Sequence, residues 1–320
     1  MQTFKILVTA TNYSVLCAEA KQLLEQNHCE LIENQLGRPH TFEELKLLVG
    51  DIDGVIAGVD TWDEEVFRIA LKLKVIARFG VGVDNIDLVK ACEYGVQVTN
   101  VPGGNANAVA ELTVGLILAA VRNIPALDQS AKRGYWDRHV GTELAGKTIG
   151  LLGFGNIAQM VARKLQGFDV NIIAYDKYPN ETKAKELNVS LASFEDVLRQ
   201  SDIVSMHMPS LKETFKVMSF AQFSMMKPTA AFVNTARGAL VDEDALYDAL
   251  QSSRIAGAAI DVYQQEPVSP DNPLFRLNNM ITTPHTAAET YETYHKVSLV
   301  TAQAVLDVLS GKKPQNLLEV

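Results

Sequence analysis

Residues 149–158 read Ile-Gly-Leu-Leu-Gly-Phe-Gly-Asn-Ile-Ala, a hydrophobic strand that reaches two glycines and opens a helix near Asn156. Gly153 permits a tight turn, and Gly155 lacks a Cβ, so a pyrophosphate could approach the backbone closely. The free N–H groups and the dipole of the helix N-terminus favour an anionic ligand. Ala158 fills the third position of the pattern, which concerns only packing between helix and strand. The stretch predicts a dinucleotide-binding unit.

The next strand-like run supports this interpretation. Residues 170–175 lead into Asp176, which lies roughly 20 residues beyond the glycines, as the dinucleotide-binding pattern expects. A carboxylate at this place can accept hydrogen bonds from ribose hydroxyls and would repel a 2′-phosphate. The sequence therefore favours NAD over NADP, although the neighbouring Lys177 keeps NADP as an alternative.

Short β-rich runs alternate with helical patterns on both sides of this stretch. After a long apolar helix at residues 107–121 and a polar, irregular segment at 122–144, a second series of strands begins at Lys147. Continuous Val/Ile runs separated by helices are typical of parallel sheets covered on both faces, so we predict an α/β protein. We expect strands at 4–8, 53–57, 74–77, 97–99, 170–175, 203–205, 231–234 and 257–261, and helices at 18–26 and 297–309, the last returning to the first domain.

Composition excludes several classes of function. The chain has 320 residues and a net charge of -9, so about two domains are expected, and binding to nucleic acid or an anionic membrane is disfavoured. Cys17, Cys29 and Cys92 show no spacing typical of disulfides or metal sites, which predicts no metal and buried thiols in a reducing compartment. Residues 4–10 do not resemble a signal peptide, and the apolar run 114–121 is too short to span a bilayer. We expect a cytoplasmic protein.

Three side chains suited to anion binding and proton transfer each follow a predicted strand. Arg237 ends Ala-Ala-Phe-Val-Asn-Thr-Ala-Arg, Glu266 follows Ala-Ala-Ile-Asp-Val-Tyr-Gln-Gln, and His285 stands in Ile-Thr-Thr-Pro-His. A guanidinium can hold a carboxylate and polarise a carbonyl. A histidine can donate or accept a proton, and a carboxylate beside it favours the protonated imidazole. A surface arginine and a structural histidine are the alternatives.

A fourth feature lies earlier in the chain, where residues 77–87 read Ala-Arg-Phe-Gly-Val-Gly-Val-Asp-Asn-Ile-Asp. Gly80 and Gly82 flank Val81, and the backbone N–H groups of such a loop can converge on an anion beside Arg78. The alternative is a tight turn that leads into a helix.

Taken together, these motifs resemble the D-isomer-specific 2-hydroxyacid dehydrogenases over nearly the whole chain. The matching stretches include RFGVGVDNID, VPGGNANAVAELTVGLILA, GTELAGKTIGLLGFGNIA, HMPSLKET, NTARGALVDEDAL, AAIDVYQQEP and TTPHTA. The resemblance implies two doubly wound, Rossmann-like domains, with the NAD-binding domain (102–286) inserted into a substrate domain (1–101 and 287–320). It also implies a homodimer that uses the segment around Trp136.

The resemblance further implies roles for individual residues. Arg237 would bind the substrate, His285 would be the acid/base, and Glu266 its partner. The cofactor would contact Gly153, Gly155, Asn156, Ile157, Asp176, His207, Pro209, Thr214, Thr235, Ala236, Asp261 and Ala287. The substrate would contact Arg78, Gly80, Val81, Gly82 and Asn105.

Within the family, the chain is most similar to the phosphoglycerate dehydrogenase branch, whose substrate-side arginine Arg78 matches. Residues 59–62 (Val-Asp-Thr-Trp) stand where that branch often has further polar or basic residues for a phosphate. The expected substrate is a small anionic 2-keto or 2-hydroxy acid, with D-3-phosphoglycerate as one candidate. The alternatives are a hydroxypyruvate or glyoxylate reductase, a phosphonate or phosphite oxidant, and a non-enzymatic NAD-sensing protein like the C-terminal-binding-protein corepressors. Formate dehydrogenases are disfavoured, because they pair the histidine with glutamine and not with a residue like Glu266.

Overall fold

The computed structural model describes residues 3–319 and divides the chain into two compact units. Unit 1 is formed by the chain up to Asn105 and again from Glu289, and unit 2 by Ala106–Ala288. The strands are β1 (Phe4–Val8), β2 (Cys29–Glu33), β3 (Gly54–Ala57), β4 (Val75–Arg78), β5 (Gln97–Thr99), β6 (Thr148–Leu152), β7 (Asn171–Tyr175), β8 (Val189–Leu191), β9 (Ile203–Met206), β10 (Ala231–Asn234), β11 (Gly257–Ile260) and β12 (Met280–Thr282).

The helices connect these strands along the chain. They are α1 (Tyr13–Leu16), α2 (Ala18–Gln26), α3 (Phe42–Lys46), α4 (Glu64–Phe67), α5 (Leu88–Glu93), α6 (Ala106–Arg122), α7 (Ile124–Lys132), α8 (Asn156–Leu165), α9 (Glu181–Glu186), α10 (Phe194–Gln200), α11 (Phe220–Met225), α12 (Glu243–Gln251) and α13 (Tyr291–Leu309). Short 3-10 helices lie at Val49–Asp51, Gln166–Phe168, Gly238–Leu240 and Pro273–Arg276.

Unit 1 is built on a five-stranded parallel sheet in the order β2-β1-β3-β4-β5. All four residues of β3 are buried, because helices cover both faces of the sheet. α13 packs on α2, β3 and β4 of this unit and contributes Tyr294, Ala302 and Val305 to its core. The last helix of the chain therefore belongs to unit 1.

Unit 2 is built on a seven-stranded parallel sheet in the order β12-β11-β10-β9-β6-β7-β8. α6 and α8 cover one face and α10, α11 and α12 the other, with a separate apolar core on each face. β6 pairs with both β7 and β9, so the strand order reverses between β6 and β9. In open parallel sheets, ligands bind outside the carboxyl ends of the strands at such a point.

These two sheets confirm the predicted fold class and most of the predicted elements. The expected buried thiols are found for Cys17 and Cys29, but that expectation is wrong for Cys92, which is exposed on α5. Within residues 3–319, no single helix has both the length and the apolar character needed to cross a membrane. α6 and α7 satisfy that test only when they are joined, as a pair bent by 65°.

Candidate active site

The glycine turn lies at the reversal point of the unit 2 sheet. Gly153 has φ 93°, and a Cβ there would lie 2.7 Å from the carbonyl oxygen of His207, which follows β9. Around Gly155, by contrast, a Cβ would meet no heavy atom within 4 Å. This glycine is the N-cap of α8, and no side chain caps the first N–H groups of that helix. Open space beside uncapped N–H groups fits the pyrophosphate of a dinucleotide, and Asn156 and Ile157 are the first residues of that helix.

Asp176 follows β7, the strand next to β6. One carboxylate oxygen accepts a hydrogen bond from the amide of Phe154 at 2.7 Å, and the other accepts one from the amide of Tyr178 at 2.8 Å. Both bonds leave lone pairs on each oxygen. The carboxylate is thus fixed beside the glycine turn, where it can still accept hydrogen bonds from ribose hydroxyls.

The segment after β9 carries three of the expected cofactor residues. His207 Nε2 lies 2.9 Å from the Ser205 hydroxyl, and burial lowers the pKa of His207 to about 4, so the ring is neutral at physiological pH. The hydroxyl of Thr214 donates to the carbonyl of Pro209 at 2.7 Å and accepts from the amide of Leu211 at 2.8 Å. These bonds fix residues 209–214 as a compact turn.

His285 and Glu266 form the pair expected of an acid/base and its partner. Nδ1 of His285 lies 2.6 Å from one carboxylate oxygen of Glu266. The other oxygen of Glu266 accepts a hydrogen bond from the amide of Tyr263 at 2.9 Å. Burial acts to raise the pKa of Glu266. The hydrogen bond and charge of His285, the hydrogen bond from the Tyr263 amide and the charge of Arg237 all lower this pKa. Their sum outweighs the effect of burial, so the pKa of Glu266 lies below its usual value. Because Nδ1 is engaged, Nε2 is the nitrogen through which the imidazole can exchange a proton.

The turn that presents His285 is organised by Asp261, which directly follows β11. His285 adopts φ 50°, in the left-handed region, and its amide donates to the carbonyl of Asp261 at 2.7 Å. The Asp261 carboxylate is fully buried and accepts three further bonds, from the Thr283 hydroxyl at 2.6 Å and from the amides of Thr286 and Ala287 at 2.9 Å each. Asp261 and Ala287, expected at the cofactor, therefore hold the histidine turn in shape.

Arg237 lies just beyond β10, next to β11. The side chain of Asn234 accepts from the amide of Ala236 and donates to the carbonyl of Arg237, each at 3.0 Å, which fixes the backbone on both sides of the turn. At the following position, a Cβ on Gly238 would lie 1.9 Å from the Tyr263 carbonyl, so only glycine lets these two segments meet. Thr235 is buried, with its hydroxyl 2.8 Å from that of Thr113 on α6.

The expected substrate residues outside unit 2 lie in unit 1. Arg78 ends β4, and its backbone carbonyl accepts the Gly80 amide at 2.8 Å. The N–H of Gly80 is therefore bonded within the loop. The carbonyl of Val81 accepts from Asn100 at 2.7 Å. Gly82 follows in the same loop, and Asn105 ends the first segment of unit 1.

The structure thus brings Arg237, Glu266 and His285 together at one edge of a single sheet. Sequence reasoning missed the residues that hold them, namely Tyr263, Thr283 and Asn234. Their signal was present, because all three lie within the motifs around the strand ends. Their contacts, two through backbone groups and that of Thr283 with the Asp261 carboxylate, join segments that a motif does not show to be close.

The family of the chain follows from three kinds of similarity. Residues 114–287 match the model for the D-isomer specific 2-hydroxyacid dehydrogenase, NAD binding domain. The D-3-phosphoglycerate dehydrogenase of Methanocaldococcus jannaschii is 40% identical over 320 residues, which cover 99% of this chain and 59% of that protein. The chain belongs to the D-isomer-specific 2-hydroxyacid dehydrogenase family.

Other members of the family are similarly close. The D-3-phosphoglycerate dehydrogenase of Archaeoglobus fulgidus is 42% identical over 81% of this chain and 49% of its own length. The chain thus spans about half the length of the D-3-phosphoglycerate dehydrogenases that it matches. The glyoxylate reductase of Thermofilum pendens is 40% identical over 88% of this chain and 85% of its own length.

A solved structure shows the same architecture. The TT0316 protein of Thermus thermophilus superimposes with a TM-score of 0.90 at 34% identity, covering 99% of this chain and 100% of that one. The expected family, the phosphoglycerate dehydrogenase-like branch and the Rossmann-like fold are confirmed by these similarities. The expectation of NAD as the cofactor is confirmed as well, because residues 114–287 match the NAD-binding domain of the family.

Proposed function

We propose that this protein is an NAD-dependent dehydrogenase that transfers a hydride between the nicotinamide and C2 of a small D-2-hydroxy acid or 2-keto acid. The observation that carries the proposal is the 2.6 Å contact between His285 and Glu266, with the Arg237 charge acting on the same carboxylate. When bound, NAD(H) supplies or accepts the hydride.

The residues of unit 2 have distinct roles in this proposal. Arg237 holds the substrate carboxylate and polarises the C2 carbonyl, because a guanidinium offers paired donors to oxygen atoms. His285 delivers a proton from Nε2 to the carbonyl oxygen during reduction and removes it during oxidation. Glu266 stabilises the protonated imidazole and fixes its orientation through Nδ1.

Two substrates are supported by the names of relatives. D-3-phosphoglycerate dehydrogenases are 40% and 42% identical to this chain, and a glyoxylate reductase is 40% identical. Arg78, Gly80, Val81, Gly82 and Asn105 of unit 1 are the proposed substrate contacts. Among them, Arg78 supplies a cation for an anionic group.

A panel of keto acids tests the substrate class directly. Phosphohydroxypyruvate, hydroxypyruvate, glyoxylate, pyruvate and branched 2-keto acids are each mixed with NADH, and oxidation of NADH is followed by its absorbance. Turnover of the phosphorylated acid alone would assign the phosphoglycerate branch, whereas turnover of glyoxylate and hydroxypyruvate would assign a reductase. The proposed function is wrong if the protein binds NADH and reduces none of them.

Single substitutions test the catalytic roles. Replacing His285 or Arg237 by alanine is expected to lower kcat by at least ~100-fold, because each change removes a proton donor or a cation from the transition state. Steady-state kinetics on the best substrate measure this effect, and circular dichroism checks that the variants fold. Near-normal turnover in both variants would refute the assignment.

We also propose a homodimer that works in the cytoplasm. Tyr135, Trp136 and Val140, which follow α7, are 62%, 89% and 96% exposed, so this segment offers large apolar side chains to a second copy. The three cysteines are free thiols, in keeping with a reducing compartment. Analytical ultracentrifugation of the wild type and a Trp136→Ala variant tests the dimer.

A further inference from the structure

The adenosine end of the proposed cofactor site carries an ion pair that the catalytic assignment does not use. Nζ of Lys177 lies 2.9 and 3.1 Å from the two carboxylate oxygens of Glu213. Lys177 immediately follows Asp176, whereas Glu213 belongs to the segment after β9. The pair therefore joins two loops that both leave the carboxyl edge of the unit 2 sheet.

Both loops are anchored at the glycine turn. Asp176 is bonded to the amide of Phe154 at 2.7 Å. The loop that carries Glu213 begins at His207, whose backbone packs against Gly153. A Cβ on Gly153 would lie 2.7 Å from the His207 carbonyl oxygen. The pair thus joins segments that start on either side of the proposed pyrophosphate site, and Lys177 is the next residue after the carboxylate expected to bind the ribose.

Glu213 is held in place by its neighbour. Thr214 is buried, and its hydroxyl bonds to Pro209 and Leu211 at 2.7 and 2.8 Å, which fixes the backbone that carries Glu213. Lys177 is restrained on its other side, because its ammonium lies 5.6 Å from the centre of the Tyr178 ring. The hydrogen bond and charge of Glu213 raise the pKa of Lys177, so the ammonium stays charged while it is engaged.

The charges of Asp176, Lys177 and Glu213 affect the binding of NAD and NADP differently, because only NADP carries a 2′-phosphate. A free lysine next to Asp176 would attract the 2′-phosphate of NADP and offset the repulsion from Asp176. Glu213 engages that lysine with both oxygens, so the ammonium is not offered to a phosphate. We infer that Glu213 is a specificity-determining residue, which enforces the preference for NAD by withholding Lys177 from a 2′-phosphate.

This inference rests on the proposed function, because it assumes that the ribose binds at Asp176. Glu213→Gln keeps the size of the side chain and removes its charge, so Lys177 is no longer held by an ion pair. We expect the affinity for NADPH relative to NADH to rise about fivefold, the size of effect typical of one exposed charge pair. The gain should shrink as salt rises from low to physiological ionic strength, since the contact with the phosphate is solvent-exposed.

Two further variants separate the mechanism from a general change in charge. In the Glu213→Gln/Lys177→Met double variant, the gain should disappear, because no ammonium remains to meet the phosphate. Glu186→Gln is the matched control: Glu186 is also paired with a lysine, Lys183, at 2.5 Å within α9. This control should leave the ratio of affinities unchanged.

Fluorescence titrations with NADH and NADPH measure the two dissociation constants, and kcat/KM with each cofactor gives a second reading. An unchanged ratio in Glu213→Gln, or a gain that persists without Lys177, overturns the inference while the proposed function stands. If the wild type binds neither dinucleotide, the proposed function fails and the inference fails with it. If NADH binds without turnover of any keto acid, the proposed chemistry fails, and the titrations still decide the role of Glu213.

Discussion

At the scale of single residues, the chemistry of the site depends on which atom of each side chain is already engaged. Glu266 uses one oxygen for His285 and the other for the Tyr263 amide, so its carboxylate cannot rotate away from the imidazole without losing a bond. His285 and Glu266 side chains are 37% and 32% exposed, which leaves the imidazole accessible to a ligand. The orientation of the ring is therefore set before any substrate arrives.

Glu266→Gln tests what the charge of this carboxylate contributes. The amide can still accept from Nδ1, but it no longer stabilises a protonated imidazole, so we expect kcat to fall ~10- to 100-fold and the pH–rate profile to move to lower pH. Since the pKa of Glu266 is lowered in the folded state, its carboxylate is ionised above the usual carboxyl value and is lost only as pH falls through the lowered one. Profiles of kcat/KM from pH 4.5 to 9 measure the shift. Superimposable profiles for the two proteins would mean that the charge plays no part.

At the scale of elements, the parallel arrangement explains why distant motifs meet. β10, β11 and β12 are adjacent and parallel, so the residues that follow them lie at one edge of the sheet. The turn after β12 keeps its shape through the three bonds that the Asp261 carboxylate accepts, and this buried group connects the fold to the placement of His285.

Asp261→Asn is expected to damage both stability and catalysis. An amide has the size of the carboxylate but turns a donor toward the amide of Thr286 or Ala287, so the free energy of unfolding should fall by about 2–3 kcal/mol. kcat should fall with it, because His285 loses its support. Urea unfolding and kinetics at saturating NADH measure the two effects. Asp128→Asn, which alters an exposed pair with Lys132 on α7, is the control and should cost less than about 1 kcal/mol.

The burial of each strand and helix explains which elements could be predicted from the sequence. Central strands such as β3 and β9 are buried throughout, so their Val/Ile runs were recognised. β2 and β8, each at one edge of its sheet, were missed, because they carry polar and partly or fully exposed residues in place of a buried apolar run. α7 was missed in the polar segment after α6. The motifs predicted Arg237, Glu266 and His285, but no local pattern could show that Lys177 meets Glu213, 36 residues away.

At the scale of the whole molecule, the order of the chain and the order of folding units differ. Unit 2 is continuous, and both of its cores are built from residues between 110 and 281. Unit 1 is discontinuous, since α13 supplies Tyr294, Ala302, Ala304, Val305 and Val308 to a core otherwise formed by the first part of the chain. Removal of α13 should therefore destabilise unit 1, although most of unit 1 lies at the opposite end of the sequence.

A chain that ends at Ala288 tests this dependence. It loses α13, and the loss of several fully buried side chains costs more than the typical 5–15 kcal/mol stability of a domain, so unit 1 should unfold while unit 2 stays folded. Limited proteolysis with mass spectrometry should then show cleavage throughout residues 3–105 and a protected fragment within 106–288. A chain that ends at Lys312 keeps α13 and should retain both units. Protection of both regions from cleavage in the shorter chain would show that unit 1 does not need α13. Cleavage throughout both regions would show that unit 2 cannot fold on its own cores.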